Sequence, residues 1–97
     1  MIIVAGWLRV AADEREAYLA AVSHIAPQAR EAPGCLDFVQ TADPVDPERI
    51  VIYERWESDE DLLAYRSSGS DDDAGAGTPD ILGADVAKYR ISAVEAP

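Results

Sequence analysis

The 97-residue chain predicts an α+β fold of the ferredoxin-like type, βαββαβ with a four-stranded antiparallel sheet. Three observations predict it. Four stretches, 2–10, 35–41, 50–57 and 84–94, carry apolar residues in strand-like runs. Two stretches between them, 13–32 and the run after Ser58, repeat apolar residues at helical spacing. Strand, helix, strand, strand, helix, strand is the split βαβ order, and right-handed crossovers put both helices on one face of the sheet.

Each element has its own local cause. In the first strand Ile2, Val4, Leu8 and Val10 form one apolar set with Gly6, and Ile3, Ala5 and Trp7 form the other; apolar residues on both sets mean a strand covered on both faces. Asp13 with Glu16 three residues on approximates a capping box for the first helix. Its stripe is Tyr18, Ala21, Val22, Ile25 and Ala29, and Pro27 predicts a break around 23–27. Pro33-Gly34 ends it. The second strand then places Leu36 and Phe38 on one face and Cys35, Asp37 and Val39 on the other. Asp43-Pro44-Val45-Asp46-Pro47 reads as a turn. In the third strand Ile50, Ile52, Glu54 and Trp56 share one face. Ser58 caps the second helix, with Leu62 and Tyr65 toward the core. Residues 67–79 are a loop by composition, and the last strand carries Val86, Lys88, Tyr89 and Ile91.

Composition bounds the function. One domain over 1–97 is expected from this length. Asp and Glu total 19 against 8 Lys and Arg, a formal net charge of -11. Such a surface repels nucleic acid and anionic membrane, and no run approaches the ~20 apolar residues of a membrane span. The start lacks the basic region and cleavage site of a secretory signal, so the expected location is cytoplasmic. A sheet with helices on one face leaves the other face bare, and Ile2, Ile3, Trp7, Ile52, Tyr53 and Ile91 supply more apolar surface than one face takes. A second sheet from a second copy, packed about 10 Å away, covers the bare face, so a homodimer is expected.

Chemical motifs are sparse. His24 and Cys35 are the only residues of their kinds, too few for a zinc site, so no metal is expected. Starting a calcium loop at Asp71 puts Ala76 where the loop needs Gly and Leu82 where it needs Glu, so the Asp71-Asp72-Asp73 run fails that pattern. What remains is aromatic. Phe38, Tyr53, Trp56, Tyr65 and Tyr89 are the expected lining of a flat apolar pocket with a few polar tips; ordinary core packing is the rival account of the same residues.

The runs Ala32-Pro33-Gly34-Cys35-Leu36 and Tyr53-Glu54-Arg55-Trp56-Glu57-Ser58 resemble the antibiotic biosynthesis monooxygenase family. The resemblance implies a ferredoxin-like protomer and a dimeric α+β barrel. Some members oxidise polycyclic phenols to quinones with O2 and neither metal nor flavin, and relatives degrade haem. By resemblance, this chain is a cofactor-independent monooxygenase that takes a small aromatic phenol or hydroquinone and O2. Trp56 and Tyr65 are then its catalytic residues, and Phe38, Tyr53, Tyr89 and Arg90 bind the substrate. The alternative is a non-catalytic dimeric barrel that holds a small hydrophobic ligand. The chain departs from its relatives in three places: many carry His where Tyr65 and Ser70 stand, quinone-forming members carry Asn where Ile52 stands, and the axial His of haem-degrading members has no counterpart after the second helix.

Overall fold

A computed structural model describes residues 1–68 and 78–97; the Asp71-Asp72-Asp73 run and most of the expected 67–79 loop lie outside them. The elements are β1 (Ile2–Arg9), a 3-10 turn (Ala12–Glu14), α1 (Arg15–Ala21), α2 (Ile25–Arg30), β2 (Cys35–Ala42), β3 (Arg49–Trp56), α3 (Asp59–Ser67) and β4 (Gly83–Arg90). The sheet order is β2-β3-β1-β4, and every neighbouring pair is antiparallel. This is the ferredoxin-like α+β arrangement that the element order predicts.

The register sorts the side chains. Ile2 stands opposite Trp56 and Arg90, Val4 opposite Glu54 and Lys88, and Leu8 opposite Ile50 and Ala84. Opposed residues share a face. Ile2, Val4, Phe38, Ile50, Ile52 and Trp56 therefore point to one side, where they pack on Tyr18, Val22, Ile25, Ala29, Leu62 and Tyr65 of the helices. The other side presents Ile3, Ala5, Trp7, Val39, Val51, Tyr53, Ala87 and Tyr89.

Local chemistry corrects several expectations. Asp13 does not cap the first helix; it sits inside the 3-10 turn, and no side chain caps that turn or α1. The long first helix is two short ones. The Ser23 hydroxyl donates to the Ala20 carbonyl at 2.8 Å, and the chain restarts at Ile25. Pro27 then falls in the first turn of α2, where its missing N–H leaves no intrahelical bond unmade. In β2 a bulge between Cys35 and Asp37 shifts the alternation. Cys35 pairs with Trp56 and Phe38 with Glu54, which puts Cys35 and Phe38 on the helix side and leaves Leu36 exposed. β4 ends at Arg90, four residues short of the expected 94.

Two glycines are required by close approach. Gly6 has φ 153°, and a Cβ there would collide with the Asp85 carbonyl and come 2.7 Å from Val86 Cα, so β4 pairs with β1 only over a bare position. Gly34 has φ 81°, and its Cβ would collide with the Asp61 carboxylate. The Gly34 carbonyl also accepts from Glu57 N–H at 2.8 Å. Gly34→Ala is expected to lower unfolding free energy by at least about 1–3 kcal/mol from the positive φ alone, measured by urea denaturation; a midpoint equal to that of the parent refutes the requirement.

Candidate functional site

Three elements bring three aromatic rings together on the helix side of the sheet. Trp56 ends β3 in phase with Ile50 and Ile52 and is fully buried. Tyr65 lies three residues after Leu62 on α3, so both face inward. Its ring centroid is 5.3 Å from Trp56 at an interplanar angle of 33° and 6.1 Å from Phe38, edge-on at 66°. The Trp56 Nε1–H donates to Glu54 Oε1 at 3.1 Å. Glu54 is the one acid on this side of the sheet, two residues back along the same strand.

A cavity of about 270 Å³ opens beside this cluster. Gln28 and Glu31 of the α2 end, Ala32 and Pro33 of the following turn, and Asp61, Ala64, Tyr65 and Ser68 of α3 and its end line it. Tyr65 is the member shared by the cavity and the aromatic cluster. Phe38 and Trp56 stand behind it, outside the lining.

The walls are fixed by specific bonds. Ser58 Oγ accepts from Asp61 N–H at 3.1 Å and its hydroxyl donates to Asp61 Oδ2 at 2.9 Å, a capping interaction worth about 1 kcal/mol. The same Asp61 carboxylate abuts Gly34. The Arg30 Nε–H donates to the Phe38 carbonyl at 3.0 Å and ties the end of α2 to the edge of the sheet. Arg15 Nη1 reaches the carbonyls of Asp46 at 2.8 Å, Asp43 at 3.2 Å and Arg49 at 3.3 Å, which clamps the β2–β3 connection against α1.

The other expected pocket residues lie elsewhere. Tyr53 opposes Ala5 and Val39, and Tyr89 opposes Ile3; strand alternation puts both rings on the sheet face away from Trp56. Arg90 ends β4 beside α3, and its Nη2 lies 3.4 Å from Asp59 Oδ2. Neither tyrosine nor Arg90 lines the cavity. Burial pushes the Cys35 thiol up, helped by the carboxylates of Glu54 and Asp37 and opposed by Arg30, so it stays protonated at neutral pH and is a poor nucleophile. His24 is exposed at the start of α2. Gln28, Glu31 and Asp61 were not legible as a wall, because each reads locally as ordinary polar helix surface.

Comparison with known proteins places this geometry. The antibiotic biosynthesis monooxygenase family profile matches residues 1–74, and the chain belongs to that family. The match stops before β4, but solved structures cover it. A candidate antibiotic biosynthesis monooxygenase from Deinococcus radiodurans superposes with a TM-score of 0.82 at 19% identity, covering 100% of this chain and 98% of that one. One from Chloroflexus aurantiacus gives 0.74 at 28% identity over 98% and 96%. The heme-degrader MhuD of Mycobacterium tuberculosis, solved with two hemes bound in its active site, gives 0.69 at 23% identity over 99% and 100%. Comparison with curated protein sequences gives no match. Among the described residues no three His, Cys, Asp or Glu side chains converge as a metal set, and no helix is long and apolar enough to cross a membrane.

The first turn of α3 is also tied to β4. Lys88 Nζ lies 2.8 Å from Asp59 Oδ1, and its hydrogen bond, with that of Arg90, holds the Asp59 carboxyl below its ordinary 3.8. A lowered folded value means the contribution is present in full above the unfolded value and is lost as pH falls through the folded one. Asp59→Asn is expected to lower the urea midpoint at neutral pH, and the difference from the parent to shrink as the pH falls below the ordinary carboxyl value of 3.8; a difference constant across that range counts against the linkage.

Proposed function

We propose that this protein is a cytoplasmic, homodimeric monooxygenase that oxidises a small phenol or hydroquinone to a quinone with O2 and no cofactor. The observation that carries the reading is the cavity between α2 and α3, floored by Tyr65 with Trp56 fixed behind it, in a chain of the antibiotic biosynthesis monooxygenase family.

The chemistry asks little of the protein. A phenol oxidised to a quinone, or a hydroquinone to a hydroxyquinone, gives up four electrons to O2; one oxygen atom ends on the ring and the other in water, so the substrate is its own reductant. The protein must hold the ring, accept its proton and exclude bulk water. Tyr65 touches the ring. Trp56, held by Glu54, is a positioning residue that sets the Tyr65 plane. Among the lining side chains Glu31 and Asp61 are the bases. Asp61 is engaged by Ser58, which leaves Glu31 as the proton acceptor. Proton transfer from a neutral guest to a wall carboxylate leaves the net charge of the cavity unchanged.

The dimer follows from the uncovered sheet face. Trp7 stacks there beneath Arg49 and Arg9, 4.8 and 5.4 Å from its ring centroid, and Arg55 pairs with Asp37 at 3.0 Å. Arg9, Arg49 and Arg55 against Asp37 and Asp85 nearly balance, in a chain whose net charge is -11. Two copies meet with least repulsion through this face.

A second reading, a non-catalytic barrel that holds a small hydrophobic ligand, is favoured by two observations: the cavity lining has no His, and the Trp56 indole N–H is spent on Glu54. The two readings separate in a metal-free oxygen electrode. The oxygenase reading expects O2 uptake with a panel of phenols and hydroquinones, reduced at least about tenfold in Trp56→Phe; uptake no faster than buffer sinks it. A ligand that co-purifies in native mass spectrometry and is unchanged by O2 supports the second reading. For the dimer, Val51→Asp, at the centre of the uncovered face, is expected to give a folded protomer of half the mass by sedimentation. A parent chain that is already a lone folded particle at micromolar concentration removes the dimer.

A further inference from the structure

We propose that the cavity between α2 and α3 selects its guest by charge: it takes a compact ring compound that is neutral or cationic and rejects one that carries a carboxylate or phosphate, with Glu31 as the main determinant. This inference rests on the reading of the cavity as the guest site and adds a substrate class to it.

The argument starts from the lining. Of its eight residues two are carboxylates, Glu31 and Asp61, and none is basic. The nearest basic residues along the chain do not compensate. Arg30 turns its Nε–H to the Phe38 carbonyl, and Arg66 is exposed and outside the lining. Glu31 makes no ion pair with any described residue, and the Asp61 carboxylate accepts from the Ser58 hydroxyl, which leaves its charge in place. The rest of the wall, Ala32, Pro33, Ala64 and the Tyr65 ring, is apolar and offers no countercharge; Glu31 is exposed at the rim, so its field acts through solvent and is screened by salt. The net charge of -11 adds to it at long range.

Size sets the second limit. An apolar cavity of about 150 Å³ holds one benzene ring, so about 270 Å³ takes a guest of one or two fused rings. Haem, a macrocycle with two propionates, is larger than this cavity and carries the disfavoured charge, although the fold is shared with a protein solved with heme bound. The same charge pattern suits the chemistry: a guest that arrives neutral can hand its proton to Glu31, whereas one that arrives as an anion meets repulsion.

Three redox-inert naphthalene probes of one shape test the inference by calorimetry at low ionic strength: naphthalenemethanol, naphthylmethylammonium and naphthoate. The parent protein is expected to bind the alcohol and the ammonium about tenfold or more tighter than naphthoate, with the gap shrinking several-fold near 0.5 M salt, roughly as screening requires. Glu31→Gln narrows the gap. Glu31→Lys closes or inverts it. Lys at this helix end also suits the helix dipole, so the variant is expected to fold. Naphthoate binding as tightly as the alcohol, or a gap that Glu31→Lys leaves unmoved, overturns charge selection and leaves the guest site standing. Failure of all three probes to bind overturns both.

Discussion

The close approach of Gly34 to Asp61 is the constraint on which the rest of the site depends. Gly34 sits where the chain leaves the helix layer and enters β2, and Asp61 sits in the first turn of α3. A side chain at Gly34 would occupy the place of the Asp61 carboxylate. With that contact made, Ser58 can cap α3 through the same residue, and Glu57 N–H can bond the Gly34 carbonyl. Two junctions far apart in sequence thus become one. The start of α3 is fixed against the start of β2, and Tyr65 is carried over Trp56 and Phe38. The two runs that carry the resemblance, Pro33-Gly34-Cys35 and Trp56-Glu57-Ser58, are the two halves of this contact.

The two faces of the sheet do different work because strand alternation divides one sequence between them. The helix side buries Ile2, Val4, Ile50, Ile52 and Trp56 and ends in the aromatic cluster beside the cavity. The other side keeps its arginines and aspartates near balance and surrounds Trp7 with guanidinium groups. The acidic surplus of the chain is therefore unevenly spread, and the cavity rim, with Glu31 and Asp61, lies among its negative parts. Electrostatics distinguishes the two faces as clearly as hydrophobicity does.

Much of this was legible in the residues. Alternation gave the four strands to within a few residues, Ser58 announced its cap, Pro27 its break, and Leu62 with Tyr65 the inward stripe of α3. Four features depart from the local reading. The bulge at Cys35 and Asp37 reverses the face of Cys35, and nothing local marks an extra residue in a strand. Asp13 looks like a cap, but the 3-10 turn satisfies the backbone first, through Glu14 N–H to the Ala11 carbonyl at 2.9 Å. Residue type alone groups Tyr53 and Tyr89 with Trp56, whereas strand parity assigns Tyr53 to the opposite face. The cavity itself arises from the spacing of α2 and α3, a long-range property that no short run of sequence encodes.

The divided first helix has a consequence for the architecture of that cavity. α2 spans only Ile25–Arg30, far below the ~12 residues at which an isolated helix becomes even marginal in water. Its shape is therefore borrowed from the body of the protein, through the anchors Ile25 and Ala29 and the Arg30 tether. One wall of the chamber is in effect a hung panel rather than a supporting beam. Among the described residues neither Gln28 nor Glu31, the residue just past its end, is one of these anchors, so the shape and charge of the chamber are set on the panel by residues other than those that hang it.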